Sequence, residues 1–88
     1  MNPLLATREA ITLPVTIEFL EEDGVYLVSC PLLQGCHAWG DTLDEALRAI
    51  PGNFRAMVEA MRSKGTPLPE EVHGLDPSRP ITIRIVGS

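Results

Sequence analysis

The sequence predicts an α+β domain with the element order β-β-β-α-β, in which one kinked helix packs on one face of a four-stranded mixed sheet. Two segments, 15–19 and 81–85, alternate apolar and polar residues, as half-buried strands do. Between them, apolar residues recur at helical spacing from Leu43 to Met61, which indicates an amphipathic helix. A strand that follows a crossover helix usually runs parallel to a strand already in the sheet, so the predicted strand order is 3-2-1-4.

The composition is that of one small, acidic, folded domain. The chain has 88 residues, and we expect a single domain with an N-terminal arm over 1–10 and a core over 15–86. Its net charge of −5 disfavours direct nucleic-acid binding, because phosphates attract basic surfaces. Three arginines, Arg48, Arg55 and Arg62, recur at a helical interval, and a solvated helix face explains them better than a nucleic-acid-binding stripe.

The sequence also bears on where the protein is found. No segment approaches the roughly 18 apolar residues that a membrane helix needs, so we expect no membrane association. The chain has two cysteines and no recognisable secretory signal, which favours the reducing cytoplasm.

Three short strands are predicted before the helix. The first begins at Pro14, because a proline inside a paired strand lacks the N–H that the ladder needs. Residues 21–24 form a turn whose glycine can adopt positive φ. The second strand, 25–30, is apolar on both faces, which predicts that the helix covers one face and a partner the other. A connector over 31–35 leads to the third strand, 36–39.

The helix is predicted to begin after Thr42 and to end at Gly65. Thr42 and Glu45 have the spacing of a capping box, in which each side chain satisfies the backbone N–H of the other residue. Pro51 interrupts the helical sequence, but the apolar residues keep their phase across it. This continuity favours one kinked helix over two separate ones.

Two motifs flank the predicted third strand. Six residues match the pattern Y-x-V-x-x-P-D-L-P-G-C: Tyr26, Val28, Pro31, Leu33, Gly35 and Cys36. Five residues match G-D-T-x-x-E-A: Gly40, Asp41, Thr42, Glu45 and Ala46. In this combination the chain resembles the HicB-like antitoxin family over about 15–86. It departs from the family pattern at Leu32 and Gln34, where the family has aspartate and proline.

The resemblance implies a fold and a function. The fold would be a partial ribonuclease H-like domain, and the function would be that of an antitoxin to HicA, a small ribonuclease toxin, through protein–protein contact. Full-length antitoxins of this kind often add a C-terminal DNA-binding domain, and this chain ends soon after Val86, so we expect no promoter binding from it. We also expect a homodimer or higher homo-oligomer, because one sheet face and one edge lack cover.

Five residues are candidates for contact with the partner: Tyr26, Leu32, Leu33, Gln34 and Trp39. Leu32 and Leu33 are consecutive in an extended connector, which predicts that their side chains point in opposite directions and that one is exposed. Trp39 is the only tryptophan, and a place in the core is favoured over a role as an interface anchor.

Catalysis and metal binding are less well supported. Cys30, Cys36, His37 and His73 are the only soft metal ligands, and their spacing favours structural cysteines over a zinc site. Glu18 and Asp41 are the nearest candidates for a metal-dependent nuclease site, but no base, nucleophile or ligand set accompanies them. We therefore expect no enzyme activity, catalytic residue, metal or cofactor. A stand-alone domain that binds a protein or small ligand, with no toxin, remains the alternative.

Overall fold

A computed structural model of the chain describes residues 10–73, 75–76 and 79–86. Its elements are β1 (Ile11–Leu20), β2 (Val25–Ser29), β3 (His37–Gly40), α1 (Leu43–Lys64) and β4 (Ile81–Ile85). The sheet has the order β3-β2-β1-β4, in which β4 runs parallel to β1 and the other neighbours are antiparallel. The predicted α+β class, the mixed four-stranded sheet and its order are confirmed. The N-terminal arm, predicted over 1–10, lies outside the described residues except for its last position.

The first strand is longer than predicted. It begins at Ile11, before Pro14, and both Ile11 and Leu13 are buried in the core. The expected strand start at Pro14 is therefore wrong, and the core extends further towards the N-terminus than the predicted 15–86. The turn over 21–24 is confirmed, with Gly24 at a φ of 66°.

Pro14 is accommodated within β1 because the strand has a neighbour on only one side at that point. The Ile11 N–H donates to the Pro80 carbonyl at 2.8 Å, and the Val86 N–H donates to the Val15 carbonyl at 2.8 Å. Both partners flank β4, so Ile11 and Val15 direct their backbone groups towards that strand. Alternate residues of a strand direct their backbone groups to the same side, so the Pro14 nitrogen faces away from β4. On that side β2 pairs with β1 only from Thr16 onwards, so the missing N–H removes no ladder hydrogen bond.

The helix α1 is continuous across Pro51, as predicted, and the expected bend at that residue stays a prediction. At its start the Glu45 N–H donates to the Thr42 hydroxyl oxygen at 3.2 Å, and the hydroxyl donates to the Glu45 carboxylate at 3.2 Å. At its end Gly65 has a φ of 71°, and its N–H donates to the Arg62 carbonyl. Among the described residues, no helix is long and apolar enough to cross a membrane.

Replacing Thr42 by alanine should lower the free energy of unfolding by about 1 kcal/mol, because the Glu45 N–H loses its hydrogen-bond acceptor. Urea denaturation followed by circular dichroism would measure the change. Thr42→Ser keeps the hydroxyl and should stay close to the parent protein. Equal losses in both variants would show that the hydroxyl does not cap the helix.

The core lies between α1 and one face of the sheet. Its buried side chains are apolar: Ile11, Leu13, Val15, Val28, Cys30, Leu33, Cys36, Ala38, Ala46, Ile50, Phe54, Val58 and Val72. The helix packs on β2 and β3, and the segment that follows the helix contributes Val72. We call the opposite side of the sheet the open face, because no helix of the described chain packs on it.

Candidate partner-binding surface

Apolar side chains cluster on the open face at the end of the sheet nearest the β1–β2 turn. Leu27 and Trp39 are directly opposite each other in the β2–β3 register, and Leu20 is opposite Val25 in the β1–β2 register. Leu27 is also opposite Glu18 in the β1–β2 register, so it lies between Trp39 and Glu18. We call these five residues the open-face patch. Trp39 is 57% exposed, whereas Leu20, Val25 and Leu27 are half-buried.

The open face becomes polar beyond this patch. The next row across the sheet contains Thr16, Ser29 and His37, and the Ser29 hydroxyl lies 3.0 Å from His37 Nδ1. Further along, the hydroxyls of Thr12 and Thr82 are 3.2 Å apart. On β2 and β3, the apolar side chains of the open face are therefore confined to the end nearest the β1–β2 turn.

Carboxylates border the open-face patch. The β1–β2 turn contributes Glu21, Glu22 and Asp23, and Asp41 follows the end of β3; all four residues are exposed. Residues 18–23 line a shallow depression of about 380 Å³. Within the described chain, neither Glu18 nor the turn carboxylates have an ion-pair partner. This end of the sheet is consequently negative and concave.

An aromatic pair lies at the same end on the helix side of the sheet. The rings of Phe19 and Tyr26 have centroids 4.9 Å apart and are tilted by 52°. Phe19 is 49% exposed and lines the depression, while Tyr26 is half-buried. Phe19 was not among the contact residues predicted from sequence, although its place beside the acidic turn was a usable signal.

The arginines of α1 are engaged within the chain. Arg48 forms an ion pair with Asp44 at 2.9 Å. The Arg55 guanidinium donates to the backbone carbonyl of Arg79 at 3.2 Å, and Arg62 donates to that of Leu75. Two of the three regularly spaced arginines therefore hold the segment after the helix by hydrogen bonds to its backbone. Their spacing in the sequence did not predict this role.

The residues predicted to contact a partner do not lie on one surface of the structure. Trp39 is exposed because Ala38 points into the core and the next side chain points to the opposite face, so the core position favoured from sequence is wrong. Tyr26 lies at the same end of the sheet, on the other face. Gln34 is exposed in the connector, at the far end of β2. The structure thus brings only Tyr26 and Trp39 to the acidic end.

The expectation that Leu32 or Leu33 is exposed is wrong. Leu33 is 2% exposed and belongs to the core, and Leu32 is half-buried against it. The connector is curled, because the Leu33 N–H donates to the Cys30 carbonyl and the Cys36 N–H donates to the Leu33 carbonyl. In this curled backbone, consecutive side chains do not alternate as they do in an extended strand. Leu33 is therefore not available to a partner.

The possible metal ligands do not converge. Cys30 and Cys36 are free thiols buried at the base of the connector, while His37 is exposed on the open face and His73 is exposed after the helix. The hydrogen bond between the cysteine side chains and the burial of both raise the pKa of the Cys36 thiol, which favours a neutral packing role. In the described part of the chain, no group of three His, Cys, Asp or Glu residues is placed to hold a metal ion.

The sequence has recognisable relatives. The model of a family described as the HicB_like antitoxin of bacterial toxin-antitoxin systems matches residues 13–79, which include most of the sheet and the whole helix. The chain belongs to the HicB-like antitoxin family. The motifs around Tyr26 and Thr42 had predicted this membership. No solved structure matches the chain.

Two proteins with the UPF0150 name are similar to this HicB-like chain. A UPF0150 protein from Synechocystis is 39% identical over 51 residues, which cover 58% of this chain and 65% of the Synechocystis protein. Another, from Thermoplasma acidophilum, is 37% identical over 51 residues, which cover 58% of this chain and 74% of the relative. The match thus spans just under two thirds of the cyanobacterial protein.

Proposed function

We propose that this chain neutralises a HicA-like ribonuclease toxin in the cytoplasm by stoichiometric protein–protein contact. The observation that carries the proposal is the family match over 13–79, because antitoxins of toxin–antitoxin systems act on a toxin partner. The exposed open face and its acidic end are compatible with this role. The proposed activity requires no cofactor and no catalytic step.

Charge supports a blocking mechanism. A toxin that cleaves RNA must hold a phosphate backbone, and such surfaces are rich in lysine and arginine. A chain with a net charge of −5 can occupy that basic surface in place of RNA. Opposite charges speed the encounter and orient the two proteins more than they strengthen the final complex.

We also propose that the chain forms a homodimer or higher homo-oligomer. The strand β4 pairs with β1 on one side and forms an edge of the sheet. Ile85 at the end of this strand is 56% exposed. An unpaired edge with exposed apolar residues is a suitable place for a second copy, which would give the small domain additional buried surface. Sedimentation velocity at several protein concentrations would measure the oligomeric state.

Co-expression with a HicA-like toxin, sought as a short basic protein encoded by a neighbouring gene, tests the antitoxin function. We expect that the basic protein alone stops growth and degrades RNA, and that co-expression of this chain restores growth through a complex of fixed stoichiometry. A chain carrying Phe54→Ala is the control, because it should not fold and should not rescue. If the basic protein is harmless or forms no complex, the antitoxin proposal fails and the stand-alone binding domain takes its place.

A further inference from the structure

We infer that the open-face patch, with its acidic border, is the docking surface for a basic protein. The inference rests on the proposed function, since the toxin would be that basic protein, and it goes further by assigning the contact to one end of one sheet face. It places the contact at Trp39, Leu27 and Glu18, and away from the connector that contains Leu32 and Gln34.

Trp39 and Leu27 form an exposed apolar area on the open face. The side chain is 57% exposed on a strand whose other face is packed into the core, and Leu27 lies directly opposite it on the neighbouring strand. When another surface covers adjacent, partly solvated Trp and Leu side chains, the burial of their apolar area stabilises the complex. Tryptophan is also among the residues that most often dominate the energy of protein interfaces.

Charge decides which occupant fits. Glu18 lies within the patch, the turn residues Glu21, Glu22 and Asp23 border it, and none of these carboxylates is ion-paired within the described chain. Nucleic acid and anionic membranes would be repelled by this border. A second copy docked on this surface would bring the same carboxylates against each other, so self-association at this place is disfavoured. A basic protein surface is the occupant that the charges favour.

Shape supports the same occupant. The depression of about 380 Å³ lined by residues 18–23 is open to solvent and has four carboxylates around it. An arginine or lysine side chain can enter it, where the exposed ring of Phe19 offers a cation–π contact in addition to the carboxylates. The partner surface should therefore present a basic side chain next to an apolar area that covers Trp39 and Leu27.

The open-face patch lies away from the connector, which contains the contact residues Leu32 and Gln34 predicted from sequence. The strand β2 begins at the acidic turn and ends at the connector, so its five residues place the patch and Gln34 at opposite ends of the sheet. At the usual rise of a strand, β2 itself is roughly 14 Å long from Val25 to Ser29, and the connector begins beyond its end. A small partner centred on the open-face patch can consequently be distinguished from one centred on the connector by single substitutions.

Trp39, as the only tryptophan, provides a direct probe. We would label the full chain with 5-fluorotryptophan, record its single ¹⁹F resonance, and add a HicA-like toxin protein, the basic partner of the co-expression test. The resonance should shift on complex formation and should lose its accessibility to a paramagnetic quencher. In the chain without partner, the resonance should not depend on protein concentration.

Variants then test which residues carry the affinity. Trp39→Ala should weaken the complex about thirtyfold, as expected for a hot-spot aromatic. Glu18→Lys should weaken it at least tenfold and should slow association, with a smaller dependence on salt. Gln34→Ala, at an exposed position in the connector, should change affinity by less than about twofold. Circular dichroism of each variant verifies the fold.

The possible failures are distinguishable. A complex in which the Trp39 resonance does not shift, or in which Gln34→Ala is the damaging variant, overturns the surface assignment and leaves the antitoxin function intact. Absence of any complex overturns both. A Trp39 resonance that shifts with the concentration of the chain alone shows that a second copy covers the patch, and it also overturns the inference.

Discussion

Replacing Phe54 by alanine should leave little folded protein. Phe54 is fully buried on the face of α1 that packs against the sheet, between Ile50 and Val58. Removing a buried aromatic ring costs about 3–5 kcal/mol through lost burial and the cavity that remains. Folded proteins have only about 5–15 kcal/mol in total, and a small domain lies at the low end. The substitution should therefore remove most of the stability.

Urea denaturation monitored by circular dichroism would measure this loss, provided that enough folded variant can be purified. Glu59→Ala is the matched control, because Glu59 lies on the exposed side of the same helix and should change stability by less than about 0.5 kcal/mol. Phe54→Leu should fall between the two. A loss below about 1 kcal/mol for Phe54→Ala would show that the helix does not pack on the sheet through this face.

Among the five glycines that the structure describes, Gly40 should be the one at which alanine is most damaging. A Cβ atom at residue 40 would lie 2.6 Å from the Ala46 nitrogen, 2.8 Å from the Thr42 carbonyl oxygen and 2.9 Å from the Glu45 Cβ. Two of these atoms belong to the backbone of the helix start, which cannot move without displacing the helix from β3. Overpacking of this kind costs about 1–3 kcal/mol or more.

Gly52→Ala provides a control with the opposite sign. Gly52 lies inside α1, and a Cβ atom there would meet nothing within 4 Å. Alanine at a helix-interior position is favoured over glycine by about 0.5–1 kcal/mol, so this variant should be more stable than the parent. Thermal denaturation of the two variants should give shifts in opposite directions. A Gly40→Ala protein as stable as Gly52→Ala would contradict the close contact between β3 and the start of α1.

Most of the fold was predictable because it depends on local patterns. The alternating strands, the Thr42 cap and the helix end at Gly65 each depend on residues that are close to one another in sequence. The parallel fourth strand followed from the general rule for crossover connections. Pro14 was misplaced because its effect depends on which side of β1 has a neighbouring strand, and no local pattern contains that information.

The candidate surface was less predictable. The strand β3 has four residues, too few for alternation to show which face Trp39 occupies, and small Ala38 gives little guidance. An extended connector predicts that either Leu32 or Leu33 is exposed, whereas hydrogen bonds within the connector curl it. The acidic residues of the turn were visible in the sequence, but nothing local showed that they border the face on which Trp39 lies.

The α+β class, the order of the elements, the ends of the helix and membership of the HicB-like family could all be predicted from local patterns, because periodicity, caps and motifs act over a few residues. Which side chains share a surface depends instead on the folded sheet. Strand register brings Glu18, Leu27 and Trp39 into one row from three strands, although they are separated in the chain. That register arises from the packing of the whole sheet against α1, so the surface it creates could be recognised only after the chain was folded.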